Sequence, residues 1–167
     1  MILICTASDG ANLTLCRRVE TLLKTRGVET YLVDLTAVDL PLYTSKLTQK
    51  PDGELMSSFS DLFQRANGYF FAAPEYNGSI PPTLSNAIAW LSTETEDFRS
   101  VFNHKPAVIA THSGGGGQKL LMSLRIQLSH LGVNVLGREL ASKGDGAVQE
   151  RSLIEAVDRL QTLADIQ

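Results

Sequence analysis

Tyr69-Phe70-Phe71-Ala72-Ala73, followed at once by Pro74-Glu75-Tyr76-Asn77-Gly78-Ser79-Ile80-Pro81-Pro82, is the stretch on which the fold turns. Five apolar residues without polar alternation read as a strand covered on both faces. The prolines and glycine stop it abruptly. Leu84, Ala87, Ile88 and Leu91 then recur at helical spacing, and Met56, Phe59, Leu62, Phe63 and Ala66 do so before it. The same alternation continues outward. Ile2–Thr6 reads as a first strand, and Leu15, Cys16, Val19, Leu22 and Leu23 as a helix that Gly27 ends. Thr30–Val33 is a second strand, followed by a loop from Asp34 to Gly53 broken by Pro41 and Pro51. Ala107–Thr111 is a fourth strand and Val133–Leu136 a fifth, with Leu121, Leu124, Leu128 and Leu131 marking a helix between them. Leu153, Val157, Leu160 and Ala164 mark the last helix. Strands alternating with helices predict an α/β parallel sheet with helices on both faces.

A length of 167 residues suits one domain, taken as residues 1–167. The net charge of −3 argues against a nucleic-acid binder, which needs a basic patch for phosphates. It also argues mildly against a strongly acidic electron carrier. Cys5 and Cys16 form no CxxC pair and read as packing residues. No apolar run has the length of a membrane span, and the first strand starts at Met1 with no signal peptide expected, so a cytoplasmic location is the default. His104, His112 and His130 lack metal-ligand spacing; His104 and His130 are expected at the surface or a helix end.

In an open parallel sheet, ligands bind beyond the carboxyl ends of the strands, where the strand order reverses. For a five-stranded order 2-1-3-4-5, the loops after strands one, three and four build that site. The first loop is Ala7-Ser8-Asp9-Gly10-Ala11-Asn12. Its small residues and free N–H groups suit an anion at a helix start, with Ser8 and Asn12 adding side-chain hydrogen bonds. An ordinary helix cap is the equal alternative, and Asp9 counts against phosphate unless it points away. The second loop offers Tyr76 and Asn77 to a heterocycle; the alternative is a structural turn with a helix cap at Thr83. The third, Thr111-His112-Ser113-Gly114-Gly115-Gly116-Gly117, implies unusual backbone angles or close approach to a ligand, and otherwise a flexible turn. His112 falls at the mouth of this site. No G-x-G-x-x-G follows strand one, and no GxxxxGK[ST] occurs. The acidic pair of a magnesium-dependent response regulator is missing too.

Pro74-Glu75-Tyr76-Asn77, with Ser79-Ile80-Pro81, Leu84, Asn86-Ala87-Ile88 and Trp90, closely resembles the signature of the NADPH-dependent FMN reductase family. Asp34-Leu35 with Leu40-Pro41-Leu42-Tyr43, and Ser113, the glycine run, Leu124-Arg125 and Leu131-Gly132, resemble its other loops. The resemblance spans roughly residues 1 to 137. It implies a flavodoxin-like three-layer sandwich, FMN as cofactor, NAD(P)H as reductant and a small-molecule electron acceptor such as a flavin or quinone. Carried over by position, Ser8, Gly10 and Asn12 meet the phosphate, Pro74, Glu75, Tyr76 and Asn77 line the ring, and Ser113, Gly114 and Gly115 approach its other edge. Glu75 is also read as an anchor of its own loop. The family implies a homodimer or homotetramer, for which Trp90 is the exposed aromatic candidate. The first loop is shorter than the family's and lacks an arginine and a serine, which predicts a weaker hold on phosphate. Pro82 stands where glycine is usual, and Ser85 and Ala89 replace a lysine and an aspartate. Two other readings remain open: a flavodoxin-like electron carrier, and a descendant impaired in flavin binding that acts through a protein partner.

Overall fold

A computed structural model describes residues 1–46, 51–93 and 96–166. In chain order its elements are β1 (Ile2–Thr6), α1 (Ala11–Thr25), β2 (Thr30–Asp34), α2 (Gly53–Arg65), β3 (Gly68–Ala72), α3 (Pro82–Leu91), β4 (Pro106–His112), α4 (Gln118–His130), β5 (Asn134–Val135), β6 (Leu140–Ser142) and α5 (Glu150–Ala164). All strand pairs are parallel, in the order β2-β1-β3-β4-β5. Every residue of β1 and β3 is buried, as their unbroken apolar runs require.

Two apolar clusters cover the two faces. Leu15, Cys16, Val19 and Leu23 of α1 pack with Leu153, Val157 and Leu160 of α5 over Ile4, Phe70 and Val108. On the other face Phe59 and Phe63 of α2, Ile88 of α3 and Leu124 and Leu128 of α4 cover Leu3, Phe71 and Ile109. Trp90 belongs to this second cluster and is 3% exposed, which corrects its reading as a surface aromatic. Its indole N–H donates to the Pro41 carbonyl at 2.7 Å, so it fastens the loop after β2 to α3. Both cysteines are buried and free. No described helix is long and apolar enough to cross a membrane.

The fifth strand departs from expectation. The ladder to β4 runs through Asn134 and Val135, breaks, and resumes at Leu140–Ser142 as a sixth strand on the same side of β4. The Leu136 N–H still meets the Ala107 carbonyl at 2.8 Å, residues 137–139 then leave the ladder, and Arg125 of α4 lies against the bend. Its guanidinium donates to the Val135 and Leu136 carbonyls at 3.1 and 2.7 Å and to Glu139 at 2.9 Å. Backbone groups freed by the break thereby find a partner. The consequence for the site is that β6 brings Ser142 beside His112.

Candidate functional site

β1, β3 and β4 end side by side, and their loops are stitched together by polar side chains. Asn12, 2% exposed, carries the first stitch. Its amide donates to Ser8 Oγ and to the His112 carbonyl, both at 3.2 Å, and its Oδ1 accepts the His112 N–H at 2.7 Å. All the hydrogen-bonding groups of the side chain except one lone pair are thus engaged inside the protein. Asn12 holds the first and third loops in register.

The first loop leaves its backbone open. Gly10 precedes α1 with no side-chain cap and no acid in the first turn. The N–H groups of Asp9, Gly10 and Ala11 meet no acceptor among the described residues. A Cβ at Gly10 would touch nothing within 4 Å. Packing therefore does not demand glycine there, and the exposed amides stand at the positive end of the helix dipole, an arrangement that suits an anion.

The second loop is a tight hairpin. Tyr76 and Ser79 exchange both backbone hydrogen bonds, at 3.1 and 3.0 Å, around Asn77 and Gly78. Positive φ at both, 51° and 73°, marks the primed turn for which Asn-Gly is the preferred pair. The turn leaves the Tyr76 ring half exposed. Helix α3 starts at Pro82 with Pro81 as its cap residue, two residues ahead of the alternative cap at Thr83. Proline suits that first position because its missing N–H is unpaired there in any helix.

Glu75 and Ser113 carry the second stitch. The Glu75 N–H donates to Ser113 Oγ at 2.6 Å. Thr111 Oγ1 donates to the Ala73 carbonyl at 2.7 Å and lies 2.9 Å from Ser113 Oγ. Because each hydroxyl has one proton, Ser113 donates to Thr111, and the relay runs from Glu75 through Ser113 and Thr111 to Ala73. The Glu75 carboxylate in turn accepts the N–H groups of Lys119 and Leu120 at 3.1 and 3.2 Å, capping α4 from another loop.

The four glycines of the third loop divide. Gly116 and Gly117 take positive φ, and a Cβ on Gly117 would overlap the Thr111 side chain. Gly114 and Gly115 have no positive φ, are exposed, and would meet nothing with a Cβ. The fold requires the second pair; the first pair leaves a bare backbone that a flat molecule can approach.

The ten residues named from sequence thus lie on the three loops of one rim, in two groups. Asn12, Glu75 and Ser113 tie the loops together. Ser8, Gly10, Tyr76, Asn77, Gly114 and Gly115 are at least partly exposed along the rim, with Pro74 half-buried at its base. Sequence reasoning missed Thr111 and Ser142. The hydroxyl pattern Thr111-x-Ser113 was a visible signal for the first; nothing local marked the second, because β6 was unseen. His112 does lie at the rim, its Nδ1 3.0 Å from Ser142 Oγ. His104 and His130 are exposed, His130 as the last residue of α4. Burial pushes the Cys16 thiol up to about 12 and Cys5 well above its ordinary value, so both stay protonated. Hollows of about 520 and 550 Å³ lie between α2 and α3 and behind β5, lined by none of the ten.

Known proteins are similar to this chain in sequence and in fold. The NAD(P)H-dependent FMN reductase of Pseudomonas aeruginosa is 32% identical over 114 residues, covering 67% of this chain and 59% of that one. The chain spans about half the length of the curated relatives it matches, from 40% to 59%. FerB, a flavoenzyme NAD(P)H:(acceptor) oxidoreductase from Paracoccus denitrificans, superposes with a TM-score of 0.73 at 24% identity, over 98% of this chain and 94% of that one. A flavodoxin from the domain Archaea superposes with a TM-score of 0.67 at 11% identity, over 99% and 98%. These two likenesses make the fold flavodoxin-like. The model of the family described as NADPH-dependent FMN reductase matches residues 1–146, and the chain belongs to that family.

Proposed function

We propose that this chain is an FMN-dependent oxidoreductase that takes reducing equivalents from NAD(P)H and delivers them to a flat small-molecule acceptor such as a flavin or quinone. The observation that carries this reading is the rim itself: three cross-tied loops presenting unpartnered amides at the start of α1 and bare backbone at Gly114 and Gly115. A phosphate fits the first feature and a planar ring the second. FMN held there would supply the redox chemistry that links NAD(P)H to the acceptor.

The chain's own residues do the placing. Ser8 and the amides of residues 9–11 hold the phosphate. Pro74 to Asn77 wall one side of the ring, with the half-exposed Tyr76 closing it to water. Gly114 and Gly115 meet the other edge with N–H groups that stabilise charge developing there. Asn12, placed at the phosphate by resemblance, acts as the strut beneath it. The acceptor enters from the solvent side of the rim, where Tyr76, Gly114 and Gly115 are exposed.

Anaerobic addition of NADPH, then NADH, to FMN-loaded protein tests this. Bleaching of the bound flavin's visible absorbance is the expected result and ranks the two nucleotides. Bound flavin that stays oxidised with both overturns the reading in favour of an electron carrier.

A homodimer or homotetramer is part of the proposal. Met122 and Ile126 lie one turn apart on α4, 64% and 69% exposed, with the exposed Phe98 stacked on His130 further along. That apolar stripe, rather than Trp90, is the surface expected to be covered. Light scattering of the purified protein checks it, and M122E with I126E is expected to yield the monomer. Two free thiols in the core support a reducing compartment, the cytoplasm. Residues 1–167 then act as a single FMN-binding domain.

A further inference from the structure

The loop after β2 meets the start of α3 around a hollow of about 340 Å³ that the proposed function leaves unused. Leu35, Val38, Leu40, Leu42 and Pro82 give it apolar walls. Leu35 is buried and Val38 and Leu40 pack on the core beneath, whereas Leu42 is 73% exposed. Side chains of α3 hold the loop in place. Asn86 accepts the Tyr43 N–H at 2.8 Å and donates to the Leu40 and Pro41 carbonyls at 3.4 and 3.1 Å. The Trp90 indole holds the Pro41 carbonyl as well. The hollow is therefore shaped before any ligand arrives.

Its lining and its place decide what fits. Among the described residues no charged side chain lines it. Asn86 spends its amide on the loop, and Thr36 donates its hydroxyl to Asp34 at 2.7 Å. Only the Thr83 hydroxyl lacks a partner among the described residues of the lining. A charged or strongly polar ligand finds little there to replace its water, while an apolar chain gains by covering Leu42 and its neighbours. The last rungs of the sheet set the place. The Leu35 N–H donates to the Thr6 carbonyl at 2.9 Å, Ala7 to Ala72 at 3.0 Å and Ala73 to Ala110 at 3.1 Å. The loop after β2 thus starts level with the three loops of the rim. Pro82 stands three residues past Ser79 of the hairpin, a span of at most ~11 Å.

We infer that the hollow receives the isoprenoid side chain of a quinone whose ring takes electrons at the rim. The side chain stays unreacted; the ring gains two electrons and two protons to become a quinol, NAD(P)H supplying a hydride and solvent the second proton. This rests on the flavin reading of the rim, and the experiment separates the two. Reduction by FMN-loaded protein with NAD(P)H is compared for benzoquinones that share one ring and carry no, one or two isoprene units. KM is expected to fall about ten-fold with the first unit at nearly constant kcat. L42D puts a charge on the exposed lip, and T36F fills the hollow from an exposed position. Both, checked for folding by circular dichroism, are expected to cancel that gain and leave the tail-less quinone unchanged. A second readout needs neither flavin nor turnover. Trp90 is the single tryptophan and touches the loop, so its emission reports on the hollow. Geraniol, a tail without a ring, is expected to shift that emission saturably, and about ten-fold more weakly in either variant. Emission unmoved by geraniol, a KM indifferent to the tail, or a gain that survives both variants overturns the hollow assignment, and reduction of the tail-less quinone then leaves the rim intact. Protein that binds geraniol and reduces none of the quinones overturns the flavin reading and the tail assignment together.

Discussion

Asn12 shows how a residue that sequence assigns to a ligand spends its bonds on the protein. A carboxamide on that loop suits an anion, but here it grips the His112 peptide from both sides. The choice depends on a partner 100 residues away, which no local pattern reveals. N12A leaves buried backbone groups unpaired, a loss of about 1–3 kcal/mol. Denaturant titration checks that figure. FMN affinity should fall with it, because the anion seat loses its register to the third loop, and N12D should not restore it, since a carboxylate cannot donate to the His112 carbonyl. The glycines give a matched pair. G117A is strained twice, by positive φ and by the overlap with Thr111, and a melting point well below that of the parent is expected. G114A should melt normally and bind flavin more weakly, because only the ligand meets its added methyl.

Among the elements, those with strong periodicity were legible and those held by side chains were not. β1, β3, β4 and all five helices follow their apolar spacing, and Gly27 ends α1 with φ of 74° as the helix-end rule expects. The hairpin at 76–79 was written in its Asn-Gly pair but hidden among prolines. The interrupted edge was beyond pattern reading. Leu136-Gly137-Arg138-Glu139 looks like the end of a strand, and a three-residue β6 has no periodicity to find. What makes it a strand is its ladder with β4, reached across a bend whose carbonyls Arg125, on another element, satisfies. R125M should cost more than a surface salt bridge, about 1–3 kcal/mol for the carbonyls it orphans, by thermal or denaturant unfolding. Helix α2 is held in a similar way. Lys105, the residue before β4, donates to the Phe63 and Gln64 carbonyls at 2.6 and 3.0 Å, and burial lowers it to about 8. Its pKa is depressed on folding, so above about 8 the unfolded chain binds more protons and stability rises with pH up to the ordinary value of 10.5. Cys16 acts oppositely above 9.0, where only the unfolded thiol ionises. Between pH 8 and 9 Lys105 therefore acts without that opposition, and K105M should flatten the rise in melting temperature across that interval.

At the scale of the whole molecule, the bond from Asn12 to His112 has a consequence in time. The rim joins the first loop of the chain to one that follows β4, so no partial fold contains it. A nascent chain that has released β1, β2 and β3 has half of the sheet's strands and no complete rim. Closing that contact pays its loop entropy late, as long-range contacts do. The ligand therefore meets only finished molecules, and each one it occupies is withdrawn from the pool able to reopen; at a hundred times its dissociation constant this is worth about 2.7 kcal/mol. Flavin supply would then set how long a copy of the protein survives proteolysis, quite apart from how fast it turns over.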